Sequence, residues 1–431
     1  MNLKIVKMGI NGEGIGYIDR KPVFVDGCFV DEEVEVKDIK EYKGYCKATL
    51  VKIIKKSYRR IEPRCHAFEK CHACSLMAYK YDSQLAFKRD ILKESLIKYA
   101  QVDPKLIEAT RPTKRLYYRN QCKLPLKMIK RQLQSGMYEA NSNHLVYLSH
   151  CIIHEEGLEE VRKHVMKVLN DHGCRDYNEK IQKGYRYLVI RGFDGKYQVT
   201  LVTGNTTIEQ AIIDDILSNP KVTSVYQNIN LSKDVTIMSD KFKHLAKDKT
   251  LKVSIDDIEM ELYPNSFFQL NIEQAKNIYH DVIDMIGNPE LMVEAYCGIG
   301  AMSLLASKKC RKIIAIESVK NAIENAKENA RINNIDNIKF VCDDAGKAFS
   351  KIKEKIDVLL VDPPRTGLDQ KMLNTIMEYE PEKIIYVSCN PSTLAKNIKV
   401  LKDKYVVKKV IPYDLFAQTP HVESLVLLQR K

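Results

Sequence analysis

The chain has 431 residues, 69 Lys and Arg against 56 Asp and Glu, a formal net charge of +13 and twelve cysteines. That length supports two to four domains, each burying a core of its own. The basic excess favours a polyanionic partner. No uncharged apolar run approaches the ~18 residues of a membrane span, and the opening "MNLKIVKMGINGEG" lacks the apolar core of a signal peptide, so a cytoplasmic protein with no membrane partner is expected. In a reducing compartment clustered cysteines point to metal or to reactive thiols rather than to a disulfide scaffold.

Residues 1–57 alternate short β-like runs with glycine turns such as "INGEGIGY", which predicts a small β-barrel. Cys65-x5-Cys71-x2-Cys74 follows, with Cys151 much later in "LSHCIIHEE". Three thiolates and a distant fourth suit zinc or an iron–sulfur cluster; spacing does not choose, and His66 and His72 are rival ligands. In "DSQLAFKRDILKESLIKYA", Leu85, Ile91, Leu92, Leu96 and Ile97 fall at helical spacing. Arg111–Gln132 then holds eight basic residues and no acidic one, with Tyr117 and Tyr118 among them. Cations for phosphates and aromatic faces for bases suit RNA, although a solvated basic face would read the same. Strand and helix patterns, including "YRYLVIRGF" and "KYQVTLVTG", continue to about residue 257, closing a central α/β region over 58–257.

Residues 258–431 repeat strand then helix five times, through "LMVEAYCGIG", "KIIAIES", "NIKFVCDD", "IDVLLVDPP" and "KIIYVSCN". This predicts a doubly wound, Rossmann-like parallel sheet, with "YVVKKVIPYDLF" and "ESLVLLQRK" as an antiparallel edge. Ligands then bind beyond the carboxyl ends of the strands. The first strand runs into Glu294-Ala295-Tyr296-Cys297-Gly298-Ile299-Gly300, where glycines let the backbone approach a nucleoside, and the second ends at Glu317, placed to accept ribose hydroxyls. Ser303 stands where a dinucleotide fingerprint wants Gly or Ala, which argues against NAD. Acid-x-x-x-Gly-x-Gly with an acid at the next strand tip resembles the loop of S-adenosylmethionine-dependent methyltransferases.

Two later strands end in Asp362-Pro363-Pro364-Arg365 and in Ser388-Cys389-Asn390-Pro391. Amino-methylating enzymes place an aromatic after the Pro-Pro pair, and Arg365 argues against an exocyclic nitrogen as target. Carbon 5 of uracil, a poor nucleophile, needs a thiolate added at C6 before it can take a methyl group, then a base to remove the C5 proton. Cys389 and Asp362 suit the thiol and the nearby acid, and "DLFAQTPHVES" offers His421 and Glu423 as bases.

"DPPRTG", "IIYVSCNPST" and "DLFAQTPHVE", with "NSFFQLN" upstream, resemble the signature of the RNA (uracil-C5)-methyltransferases. The resemblance implies Cys389 as nucleophile, Glu423 as base, Asp362 in the catalytic site and beside the cofactor, and Gln269, Tyr296, Gly298, Gly300 and Glu317 around S-adenosylmethionine or the target uracil. It also implies a TRAM-like barrel over 1–57 and a [4Fe–4S] cluster on Cys65, Cys71, Cys74 and Cys151, the combination of the branch that modifies 23S ribosomal RNA. Transfer RNA as substrate and a non-catalytic RNA-binding assembly factor are the alternatives; no obligate protein partner is evident. Two departures stand out. Ala417 replaces a usual proline, which would loosen that loop, and Cys71-His72-Ala73-Cys74 replaces Cys-Gly-Gly-Cys, which puts a tight turn in doubt.

Overall fold

A computed structural model describes residues 1–139 and 142–431. The chain forms two compact units, both discontinuous in sequence: residues 1–68, 72–113 and 355–431 make one, and residues 69–71 and 114–354 the other. Both mix helix and sheet.

In the first unit, the strands between Asn2 and Lys55 form a six-stranded sheet. Its alternating apolar residues, among them Leu3, Ile5, Val23, Val25, Val34 and Val36, gather into one buried cluster. The Tyr81–Ala100 helix follows. Its apolar spacing is as expected for Ile91, Leu92 and Leu96, which are buried, but Ile97 faces solvent, and the inward face also carries Gln84, Lys88 and Ser95. The C-terminal part of this unit has Val358–Val361 parallel to Lys383–Ser388. The Glu423–Arg430 strand pairs antiparallel with Lys383–Ser388 and with Tyr405–Tyr413, which supplies the expected antiparallel edge.

The second unit holds a seven-stranded sheet from strands between Gln121 and Lys247 and a hairpin of Leu251–Ile255 with Ile258–Leu262. It also holds three parallel strands, Leu291–Ala295, Lys312–Glu317 and Ile338–Cys342. These are filled with Ile, Val, Leu and Ala, and the first two are almost wholly buried, as parallel strands covered on both faces require.

His72 closes the Phe68–Cys71 helix with φ of 53°, in the left-handed region that glycine ordinarily occupies. The turn that the missing glycines put in doubt is therefore made by a histidine. Among the described residues no helix is long and apolar enough to cross a membrane.

Candidate functional site

The β-branched run Ile384, Ile385 and Val387 buries the Lys383–Ser388 strand, and Asn390 starts the next helix by accepting the N–H groups of Ser392 and Thr393 with Pro391 in the first turn. Cys389 is the single residue between strand and cap, half-buried at the strand tip. The cap also fixes its neighbour: Asn390 Nδ2 donates to the Arg365 carbonyl at 2.9 Å, and Thr393 Oγ1 to the same oxygen at 3.2 Å. Gly367 has φ of 77°, and a Cβ there would lie 2.6 Å from Asn397 Oδ1, which accepts from Leu368 N at 2.9 Å and from the Tyr386 hydroxyl at 2.8 Å. The Asp-Pro-Pro-Arg turn is thus tied to the Cys389 turn by backbone and amide contacts.

Sheet register brings the third group in. Ser388 pairs with Ser424, so Cys389 and Glu423 occupy the next rung, while Asp362 follows Val361, which pairs with Tyr386. Glu423 is buried, and Asp362 is half-buried. Burial raises the Asp362 carboxyl to about 7. Burial and then the Asp362 charge lift Glu423 well above the carboxylate range, with Arg365 opposing. Burial also raises the Cys389 thiol, Glu423 and Asp362 add to the shift, and Arg365 pulls it back. The thiol thus feels both carboxyls, and Glu423 feels Asp362. His421, the rival base, is exposed, and burial of its ring followed by Arg365 and Lys88 holds it below the usual histidine range.

The residues expected around a nucleoside lie in the second unit. Tyr296, Gly298 and Gly300 all have positive φ, of 67°, 54° and 82°. Tyr296 is the costly one, since a side chain in that region stores about 1–3 kcal/mol of strain. Glu317 holds the turn: one carboxylate oxygen accepts Gly298 N at 3.1 Å and the other Val319 N at 2.9 Å. A Cβ at Gly298 would meet nothing within 4 Å, so the turn faces open space. Gln269 sits in a segment pinned by Asn120, whose Nδ2 donates to the Gln269 carbonyl at 3.0 Å and whose N–H donates to Leu270.

That segment borders a cavity of about 400 Å³, lined among others by Arg119, Lys123, Arg191, Asn265, Phe267 and Phe268. Phe267 is 73% exposed. Arg191 is buried, its guanidinium donating to the Ser266 carbonyl at 2.6 Å, and burial pulls it down to about 10. Packing around the Lys123 amine, then the Arg191 and Arg119 charges, lowers that lysine too. A cation cluster of this kind is built to receive negative charge. The basic segment signalled Arg119 and Lys123. Arg191 escaped notice, although an arginine inside the apolar run "YLVIRGF" was the available signal.

Of the four cysteines, Cys65 and Cys74 belong to the first unit and Cys71 and Cys151 to the second, each half-buried. Among the described residues no three His, Cys, Asp or Glu side chains are grouped to hold a metal ion.

A family model described as tRNA (uracil-5-)-methyltransferase matches residues 80–431. The chain belongs to that family. The match takes in every site residue above except Cys65, Cys71 and Cys74. Among its relatives, an uncharacterized RNA methyltransferase of Bacillus cereus is 36% identical over 446 residues, covering 99% of this chain and 96% of that protein. One of Clostridium tetani is 34% identical over 440 residues, covering 99% and 95%. The crystal structure of the Pyrococcus abyssi tRNA (uracil-54, C5)-methyltransferase in complex with S-adenosyl-L-homocysteine superimposes with a TM-score of 0.80 at 25% identity, over 99% of this chain and 100% of that one. Both the Bacillus cereus relative and the Pyrococcus abyssi structure align with nearly the whole chain, including the N-terminal sheet that lies ahead of the family match.

Proposed function

We propose that this protein moves a methyl group from S-adenosylmethionine to C5 of a uridine in RNA through a covalent bond between Cys389 and C6. The observation that carries the proposal is the convergence of Cys389, Asp362 and Glu423 at adjacent strand tips. The Cys389 thiolate adds to C6 and makes C5 nucleophilic; C5 takes the methyl group; the Glu423 carboxylate removes the C5 proton; the thiolate then leaves. Asp362, protonated at its raised pKa, donates a hydrogen bond to the uracil as charge builds on it. Glu317 and the open turn at Gly298 suit the nucleoside of S-adenosylmethionine, which supplies an electrophilic methyl on sulfur when bound. Arg119, Lys123 and Arg191 with the exposed face of Phe267 suit a phosphate and a base of single-stranded RNA.

Ribosomal RNA is the proposed substrate, supported by the resemblance of the N-terminal strands and cysteine spacing to the 23S branch. The likeness to a transfer-RNA enzyme favours position 54 of transfer RNA as the second reading. Mapping 5-methyluridine in both RNAs, from cells with and without the gene, separates them: loss from ribosomal RNA alone supports the first, and loss from transfer RNA alone replaces it.

The [4Fe–4S] cluster is proposed on the resemblance to the 23S branch, with Cys65, Cys71, Cys74 and Cys151 as its thiolates, a donor set that suits zinc as well as iron and sulfide. No step of methyl transfer runs through it. Anaerobically purified protein is expected to be brown and to lose its colour in Cys71→Ser, and stoichiometric zinc without iron contradicts the proposal.

A further inference from the structure

The loop that delivers Glu423 begins and ends at one rung of the sheet, because Tyr413 and Glu423 are cross-strand partners. Nine residues, 414–422, bridge them. The first five are gripped from one side by Tyr81, Gln84 and Lys88, which share a face of the Tyr81–Ala100 helix. The Tyr81 hydroxyl donates to Asp414 Oδ2 at 2.8 Å, and the Lys88 amine pairs with Asp414 Oδ1 and donates to the Phe416 carbonyl at 3.0 Å. Gln84 makes a two-way amide contact, donating to Gln418 Oε1 at 2.9 Å and accepting Gln418 N at 3.1 Å. Leu76 N donates to the Gln418 carbonyl at 3.0 Å.

These contacts are directional and enclosed. Lys88 and Asp414 are both entirely out of solvent. A buried ion pair contributes little net stability compared with apolar packing of the same volume, so its retention fits a demand for one geometry. The backbone agrees: Gln418 has φ of 70°, a left-handed conformation that a glutamine adopts only when neighbours hold it there. Ala417, standing where a proline would have stiffened the loop, is wholly buried beside it. Helix contacts thus supply the rigidity that the missing proline does not.

Resting on the assignment of Glu423 as base, we infer that Tyr81, Gln84 and Lys88 are positioning residues for proton removal, holding the 414–418 segment so that the Glu423 carboxylate meets the C5 proton of the methylated adduct. They act after the Cys389 bond has formed, so their loss slows one late step. A merely structural role would lower stability and every step together.

The test uses Gln84→Met, which keeps volume, and the double variant Lys88→Met/Asp414→Leu, which replaces the ion pair by apolar packing and remains folded if either single change does not. Each is compared with Glu423→Gln in single-turnover reactions with RNA and S-adenosylmethionine. Gln84→Met or the double variant is expected to form the adduct at the normal rate and release methylated RNA about 10- to 100-fold more slowly. RNA-linked protein then accumulates on denaturing gels while the rate of adduct formation and the cofactor affinity hold, even though Gln84→Met, which leaves buried partners of the amide unsatisfied, lowers the melting temperature. Adduct build-up in Glu423→Gln but in neither helix variant overturns the positioning role alone. Free turnover by Glu423→Gln overturns the assignment of the base, and the positioning role with it.

Discussion

The Cys389 corner and the Arg191 cavity are opposites in charge. At the first, a thiol and two carboxyls crowd together and all three pKa values rise, so each group holds its proton more tightly than it would in water. At the second, two arginines and a lysine crowd together, and both the buried Arg191 and the exposed Lys123 are pushed toward losing a proton. Both arrangements cost stability through desolvation and like-charge repulsion. The first makes groups that exchange protons strongly; the second makes a cradle that only an anion relieves. In the proposed function the first serves reaction and the second retention of RNA, and each can be removed separately.

The largest expected effect comes from Cys389→Ala. Methyl transfer should fall by a factor on the order of 10⁴ or more, since no other group can raise the nucleophilicity of C5. S-adenosylmethionine affinity, measured by calorimetry, should hold, because the thiol acts on the base. Wild-type turnover would break the comparison at its acidic end.

Neutralising Arg115, Arg119 and Lys123 together to Gln tests the other end. RNA affinity should drop roughly 10- to 100-fold, and the slope of log K against log salt should flatten by about two for three lost contacts to a single strand. A change in cofactor affinity with an unaltered salt slope would show that the cavity does not take phosphate.

Asp362→Asn gives the smallest effect on stability and the most telling sign. A carboxyl whose folded pKa lies above its unfolded value binds its proton more tightly when folded, so its contribution to stability is present below the ordinary carboxylate range and is lost as pH rises toward about 7. The amide removes that loss. Asp362→Asn should be more stable than wild type by about 1–2 kcal/mol above neutral pH, with no gain at acid pH, while losing activity. In the wild type, rate should pass through a maximum with pH, since Cys389 and Glu423 must give up protons from raised pKa values while Asp362 must keep the proton it loses above about 7. Asp362→Asn, which cannot lose a proton there, should remove the fall on the alkaline side, and an unchanged alkaline fall contradicts the role given to Asp362.

Much of this was legible in the order of residues. Strand-then-helix alternation located Leu291–Ala295, Lys312–Glu317 and Lys383–Ser388, because buried parallel strands are written as unbroken Ile and Val runs. Cys389 and Glu423 were visible as polar interruptions at the ends of such runs. What was not legible is the polar content of buried faces. Periodicity in the Tyr81–Ala100 helix finds Leu92 and Leu96 but gives no sign of Gln84 and Lys88, whose burial is matched by partners more than 300 positions away, Gln418 and Asp414. Arg191 was lost for the same reason: an arginine within a strand looks like an edge until Ser266 supplies its acceptor.

The account stands on one chemical event, the bond between Cys389 and the uracil ring. Glu423→Gln protein incubated with RNA and S-adenosylmethionine, then denatured and digested, tests it by mass spectrometry. A methylated uridine attached to the peptide that contains Cys389 is the predicted result. Rapid formation of free 5-methyluridine, with no nucleotide on that peptide, would contradict it.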